Sequence, residues 1–332
     1  MSLSPAVPSA ATGDSPGVTF DSEPAPAARG DVATQAHPGV AKAMLADLVS
    51  LTKPRITRMV VATMLGGMWI AARYLRANGV DVLPPTSQLV LGLIGTVLVV
   101  SGANTLNMYI ERDTDGLMER TRNRPLPARR LAPEIALWFG VLLSAVSVPL
   151  LLAFVNATTG VLAAVALLSY VLVYTPLKRR TSLALPIGAI PGAIPPLLGW
   201  TTVTGRVDMP GFLLFAVMFL WQIPHFLAIA TFRRDDYQRA GHRVLTVEKG
   251  DRVTRIHIVA HLALLLAASV LLVPFGVGGP VYLTAAILLG GAFFALGAVG
   301  LRPSAGNKWA RQLFFGSMLY LVLIFAALMI GA

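Results

Sequence analysis

Apolar residues in this chain come in long runs, and polar residues gather in short clusters between them. Nine runs of about 20 residues are each long enough to cross a ~30 Å hydrocarbon core as a helix. They lie near 56–76, 88–110, 133–153, 158–177, 182–203, 210–231, 254–274, 280–300 and 310–331. Such runs are too long for strands and too uniformly apolar for amphipathic surface helices. The pattern predicts an all-α integral membrane protein, a nine-transmembrane-helix bundle. The fifth run, LALPIGAIPGAIPPLLGW, carries Pro186, Pro191, Pro195 and Pro196. Prolines persist in a span where neighbours or a cavity satisfy the freed carbonyls, so this span is expected to kink beside a cavity.

Residues 1–39 follow another pattern. They are rich in Ala, Pro, Ser and Gly, with six prolines and no apolar run, and predict a disordered N-terminal tail. One arginine, Arg29, stands against Asp14, Asp21, Glu23 and Asp31, and no basic stretch leads into a hydrophobic one, which speaks against a cleaved targeting peptide. Residues 40–52 place Val40, Met44, Leu45, Leu48, Val49 and Leu51 largely on one helical face, as in a helix lying at a membrane interface. The polytopic domain is then 53–332.

Composition sharpens this reading. Of 332 residues 55% are hydrophobic and only 13% charged, about half the charge of a soluble domain. A soluble single-core enzyme and a wholly disordered chain are both excluded. The net charge of +11 could suggest nucleic acid, but the basic residues are spread by topology. Of 27 Lys and Arg, 24 fall in the N-terminal segment through Arg58 and in alternate loops, leaving Arg73, Arg76 and Arg206 for the others. The positive-inside rule places the N-terminus in the cytoplasm and the C-terminus outside the cell (inner or plasma) membrane, and no nucleic-acid partner is expected. The absence of cysteine excludes thiolate metal sites and a cysteine nucleophile.

Topology needs only basic residues, so acids clustered at the same helix ends require another reason. In SGANTLNMYIERDTDGLMERTRNRPLPARR, Asn107, Glu111 and Asp115 stand at i, i+4 and i+8, one above another on a helix face. Asp113 and Glu119 add carboxylates nearby. Like charges at this spacing repel, so a cation should offset them. Two candidates are open: a salt-bridge web with neighbouring arginines, or magnesium shared with substrate phosphates. Arg112, Arg120, Arg122 and Arg124 suit phosphate recognition. The segment FRRDDYQRAGHRVL repeats the theme with Asp235 and Asp236, and two acidic helix ends on one membrane side could converge on one metal cluster.

The N-x-x-x-E-x-x-x-D pattern from Asn107 to Asp115, followed by M-x-R-T-x-x-R-P from Met118 to Pro125, resembles the first aspartate-rich motif of the UbiA-type intramembrane prenyltransferases. LTKPRIT (51–57), YTPLKRR (174–180), GAIPPLLGW (192–200), WQIPHF (221–226) and RRDDYQRAG (233–241) extend the likeness over about 51–331. Within the family the chain most resembles the branch that farnesylates haem. The resemblance implies a helix bundle around a central membrane-embedded cavity with cytoplasmic cap loops. It also implies Mg2+ as cofactor, and farnesyl diphosphate, haem B and the lipid bilayer as partners, with haem A synthase or terminal-oxidase assembly proteins as further candidates. Carried over by position, Asn107, Glu111, Asp115 and Asp236 are the catalytic metal–diphosphate residues, with Asp235 completing the metal set. Arg120, Arg124 and Lys178 are diphosphate contacts. Two positions depart from the family pattern: Glu111, where the family usually has Asp, and His242-Arg243, where it often has a small apolar residue and proline.

Other residues carry two readings. His225 is an interior hydrogen-bonded histidine or a haem contact. Tyr174, in a Tyr170–Tyr174–Lys178 ladder, is an interfacial aromatic or a diphosphate neighbour. Lys53 and Arg55 are topology residues or phosphate contacts. His257 and His261 read as interior or interfacial side chains. The rival functions are a UbiA-type enzyme acting on an aromatic quinone precursor, a membrane transporter, and a haem-binding assembly factor. A transporter predicts charges near mid-membrane and internal repeats, and an assembly factor would not need the two acidic loops.

Overall fold

In a computed structural model of the chain, residues 38–331 are described. The expected tail, 1–39, lies outside them except for its last two residues, which open the first helix. The elements are α1 (Pro38–Leu51), α2 (Pro54–Ala77), α3 (Thr86–Asp115), α4 (Pro133–Phe154), α5 (Ala157–Leu168), a π-helical turn (Ser169–Tyr174), α6 (Thr175–Leu177), α7 (Ala184–Thr204), α8 (Met209–Phe232), α9 (Arg234–Arg239), α10 (Leu245–Glu248), α11 (Gly250–Leu271), α12 (Pro280–Val299) and α13 (Asn307–Gly331). α5, the π turn and α6 form one continuous segment. Seven segments are long and apolar enough to cross a membrane: α3, α4, α5 through α6, α8, α11, α12 and α13. The protein is an all-helical, multi-pass membrane protein. α2 and α7 match these segments in length but are diluted, α2 by Arg55, Arg58, Arg73 and Arg76 and α7 by prolines and glycines.

Local chemistry sets the helix ends. Pro54, Pro133 and Pro280 open α2, α4 and α12, where a missing N–H leaves nothing unpaired. The Asn156 side chain accepts from Thr159 N–H at 2.8 Å, and Asp208 from Gly211 N–H at 3.2 Å, capping α5 and α8. α7 runs unbroken through Pro191, Pro195 and Pro196 and ends at Gly205, whose φ of 69° is left-handed.

The tightest seam joins α2 to α7. A Cβ on Gly67 would lie 2.1 Å from the Pro196 carbonyl oxygen, and one on Gly199 the same distance from that of Met64. Only glycine lets the two backbones approach this closely. α7 packs on α8, and α8 packs on α11 and α13. Trp200, Leu198, Leu214, Leu227, Ile258 and Leu262 fill the interior, whereas Trp138, Phe154, Leu288, Phe315 and Val322 stand exposed on the outer faces, as lipid contact requires.

Successive long segments run antiparallel, so the loops sort to two ends. One end gathers the α1–α2 turn, residues 116–132, Lys178–Leu183, Arg233–Lys249 and residues 301–306. A small second core holds its cap in place: Leu126 and Leu131 of the 116–132 loop pack with Leu51, Met108 and Ala136. α1 lies alongside, with Met44, Leu45 and Val49 exposed and Asp47 paired with Arg130 at 3.0 Å.

Candidate active site

At this polar end the carboxylates expected to repel one another are each neutralised by a cation. α3 continues helically to Asp115, so Asn107, Glu111 and Asp115 do share one face, and all three are buried. Glu111 meets Lys178, whose Nζ donates to Oε2 at 3.1 Å and lies 2.8 Å from Oε1. Oε1 is buried and has no partner besides this ammonium. Asp115 Oδ2 accepts from Arg124 Nη1 at 2.6 Å, its guanidinium presented by the pinned 116–132 loop. Thr121 supports that loop by donating to the Asp115 carbonyl at 2.7 Å.

Asn107 sits at the centre of the network. Its Oδ1 accepts from Lys53 Nζ at 2.7 Å, and its Nδ2 donates to Glu111 Oε2 at 2.9 Å and to the Thr175 hydroxyl at 3.1 Å. Lys53 reaches it from the α1–α2 turn, where its φ of 50° is a left-handed conformation that a lysine holds only when its surroundings enforce it. Burial, then the charges of Arg124 and Lys178, pushes the Lys53 ammonium down to about 7. An anion placed here would restore its charge.

The π-helical turn sets the other wall. It delivers Tyr174, whose ring lies 4.5 Å under Lys178 Nζ, and Thr175, whose hydroxyl donates to the Tyr170 carbonyl at 2.8 Å. Such turns inside helices often mark functional sites. A cleft of about 320 Å³ opens beside Glu111, lined by Ile110, Thr114, Thr175, Pro176, Arg179 and Arg180.

The second acidic segment meets the first through Lys178. Arg243 N–H donates to the Lys178 carbonyl at 3.0 Å, and the Glu248 carboxylate accepts from Ser182 N–H at 3.0 Å. Asp236 is buried, held by Arg239 and, at 3.4 Å, by Arg233. Burial raises the pKa of the Tyr237 phenol against the opposing charge of Arg120, with Lys178 and Asp236 acting on it too. His242 is buried beneath Gly241, its Nδ1 without a partner. Burial and then Lys178 depress its pKa. The departure at His242-Arg243 therefore seats the loop on Lys178 and does not displace it.

Not every expected residue joins. Asp235, Arg55 and Arg120 are exposed and make no side-chain hydrogen bond or ion pair among the described residues. Among the described residues no three acidic or histidine side chains are close enough to hold a metal alone. His225 lies in α8, away from this network, with Nδ1 2.6 Å from the Ser317 hydroxyl. Sequence reasoning passed over Thr175, Arg179 and Tyr237, although the YTPLKRR segment held a signal for the first two.

The sequence profile of the UbiA prenyltransferase family matches residues 60–319, most of the chain. The chain belongs to this family. Among curated relatives, the protoheme IX farnesyltransferase of Sorangium cellulosum (strain So ce56) is 75% identical over 280 residues, covering 82% of this chain and 100% of that protein. The protein of the same name from Myxococcus xanthus (strain DK1622) is 50% identical over 282 residues, covering 85% and 93%. Solved structures share the UbiA-type fold. A digeranylgeranylglyceryl phosphate synthase superposes with a TM-score of 0.71 at 17% identity, covering 86% of this chain and 98% of that one. A UbiA homologue from Archaeoglobus fulgidus bound to DMAPP and Mg2+ gives 0.57 at 15% identity, covering 85% and 99%.

Proposed function

We propose that this chain is a protohaem IX farnesyltransferase. It transfers the farnesyl group of farnesyl diphosphate to a vinyl group of haem B and yields haem O. The relatives' names support the reaction. The observation that carries it is the polar end, where buried Glu111 pairs with Lys178 and the second acidic segment reaches the Lys178 carbonyl through the Arg243 N–H.

The donor set fits magnesium. Asn107, Glu111 and Asp115 offer oxygen ligands on one helix face, and Glu111 Oε1 has no partner besides the Lys178 ammonium. Magnesium commonly takes one or two carboxylates and completes its shell with substrate phosphates and water, so a ready-made three-acid cluster is not required. We assign Asn107, Glu111, Asp115 and Asp236 as its holders together with the diphosphate, with Asp235 at the rim. Bound there, the ion would neutralise charge on the leaving group.

The side chains do the rest. Lys53, Lys178 and Arg124 are released from Asn107, Glu111 and Asp115 to the diphosphate oxygens when it binds, with Arg120 and Arg55 closing from the exposed rim. They stabilise the negative charge that grows as the allylic C–O bond breaks and diphosphate leaves with the electron pair. The Tyr174 ring holds Lys178 in place and shields the allylic cation from water. The vinyl π electrons then form the new C–C bond. Water adds hydroxide to the porphyrin-side cation and releases a proton, giving the hydroxyethylfarnesyl group. No protein nucleophile is needed.

In the same reading α2 and α7 also cross, giving nine spans around a central cavity that dissolves the prenyl chain. The polar end faces the cytoplasm, and the C-terminus lies outside the cell's inner or plasma membrane. α1 rests on the membrane surface. Haem A synthase or terminal-oxidase assembly proteins are the fitting recipients of the product. The test is to supply membranes bearing the protein with haem B, farnesyl diphosphate and magnesium and to resolve the extracted haems by chromatography. A new, more hydrophobic haem is expected. An unchanged haem profile, with prenylation of an aromatic acid instead, would contradict the proposal.

A further inference from the structure

His225 lies outside the acidic network, and its surroundings fix which ring nitrogen is held. The Ser317 hydroxyl lies 2.6 Å from the Phe314 carbonyl and 2.6 Å from His225 Nδ1. It holds the imidazole through Nδ1, and Nε2 is the ring nitrogen without a hydrogen bond among the described residues. The ring is clamped in that pose: Trp221 stacks on it at 4.8 Å and donates its own N–H to the Ser317 carbonyl at 2.7 Å. A histidine oriented through one nitrogen so that the other is free is the arrangement that metal-ligating histidines use.

The neighbourhood is aromatic on one side and cationic at one end. The Phe314 ring lies 4.9 Å from His225 and 5.9 Å from Phe232, while Phe226 and Phe315 stand exposed beside them. Arg311 sits over Phe232 at 5.9 Å and forms no ion pair among the described residues. It precedes Ser317 by six residues on α13, which is ~9 Å of helix rise. That offset is about the reach from a haem iron to its propionates. Arg311 also lies toward the end where α8 gives way to Asp236, so the charged edge of a ligand placed here would face the polar end.

We infer that haem docks on the aromatic face shared by α8 and α13, with His225 Nε2 on the iron and Arg311 on a propionate. This rests on haem being the prenyl acceptor and names the surface that takes it. The cluster of aromatic rings gives the porphyrin apolar contact, the unbonded Nε2 matches the iron, and the guanidinium without an ion pair among the described residues matches a carboxylate.

The full-length protein in lipid nanodiscs, without farnesyl diphosphate or magnesium, is titrated with ferric haem and followed by its Soret band. The wild type is expected to show a nitrogen-ligated spectrum that His225→Ala loses and added imidazole restores. Arg311→Gln is expected to weaken haem binding about tenfold while leaving binding of the haem dimethyl ester unchanged, since only the free acid offers a charge-assisted partner. A wild-type spectrum from His225→Ala overturns the inference. So does an Arg311→Gln variant that weakens acid and ester alike, or neither. Arg311 is exposed, so this arm stands even if the His225 variant fails to fold. The chromatographic assay runs in parallel. Farnesylated haem from the wild type with either overturning result removes this docking site and leaves the function. No farnesylated haem from the wild type removes the function itself.

Discussion

The two ends of the helix bundle solve opposite problems. At the end away from the acids, loops close with caps and glycines. Asn156 and Asp208 cap helices, Asn156 Nδ2 also donates to the Thr201 carbonyl at 2.9 Å, and the Arg206–Asp208 ion pair has its arginine exposed. Each group there satisfies a helix end and nothing more. At the polar end Glu111, Asp115 and Asp236 are buried, where an ionised carboxylate is costly unless paired. Lys178, Arg124, and Arg233 with Arg239, from three separate segments, pair them. A fold needing only stability would have used apolar residues here, because replacing a buried ion pair by well-packed apolar groups is often neutral or stabilising. In the proposed function, this is the charge that an anionic substrate takes over from the carboxylates.

Substitutions should therefore separate function from folding by location. Asp115→Asn and Asp236→Asn should each lower turnover by roughly 1,000-fold, the scale of lost transition-state charge stabilisation, with the protein still in the membrane. Full activity in either would remove that residue from the site. Lys178→Met leaves Glu111 buried without its cation and should lower stability by about 3 kcal/mol and diphosphate binding as well. Chemical denaturation in detergent and a binding titration would read both, and a loss of binding alone would show the pair to be structurally idle. Gly199→Ala drives a methyl into the Met64 carbonyl and should destabilise by about 2 kcal/mol without changing the affinity for diphosphate. The smallest effect belongs to the far end, where Asp208→Ala removes a cap worth about 1 kcal/mol. An activity loss there beyond the stability loss would contradict the division between the ends.

How much of this was legible in the sequence follows the range of the interactions. The span at 133–153 became α4 at Pro133–Phe154, because apolar length and an opening proline are local signals. The acidic face of α3 was legible too, since i, i+4 spacing is a property of one helix. The run near 88–110 stopped short, however, because hydropathy falls at Glu111 while the helix continues to Asp115 under its tertiary ion pairs. α7 is continuous through its prolines, with its neighbours packed closely around it. The left-handed Lys53 meets its side-chain partner Asn107 54 residues away, and no window of sequence contains both. For the same reason the pairing of Glu111 with Lys178, 67 residues away, lies beyond any such window.

The central claim is tested most directly by locating a divalent cation. A structure of the protein in lipid, with Mn2+ and a non-ionising farnesyl diphosphate analogue, should place anomalous manganese density against Glu111 and Asp115. The Lys178–Glu111 contact should have opened toward a phosphate oxygen, and Asp236 should have turned to the same complex. Manganese and diphosphate seated elsewhere, with Lys178 still bound to Glu111 and Arg124 to Asp115, would contradict the account.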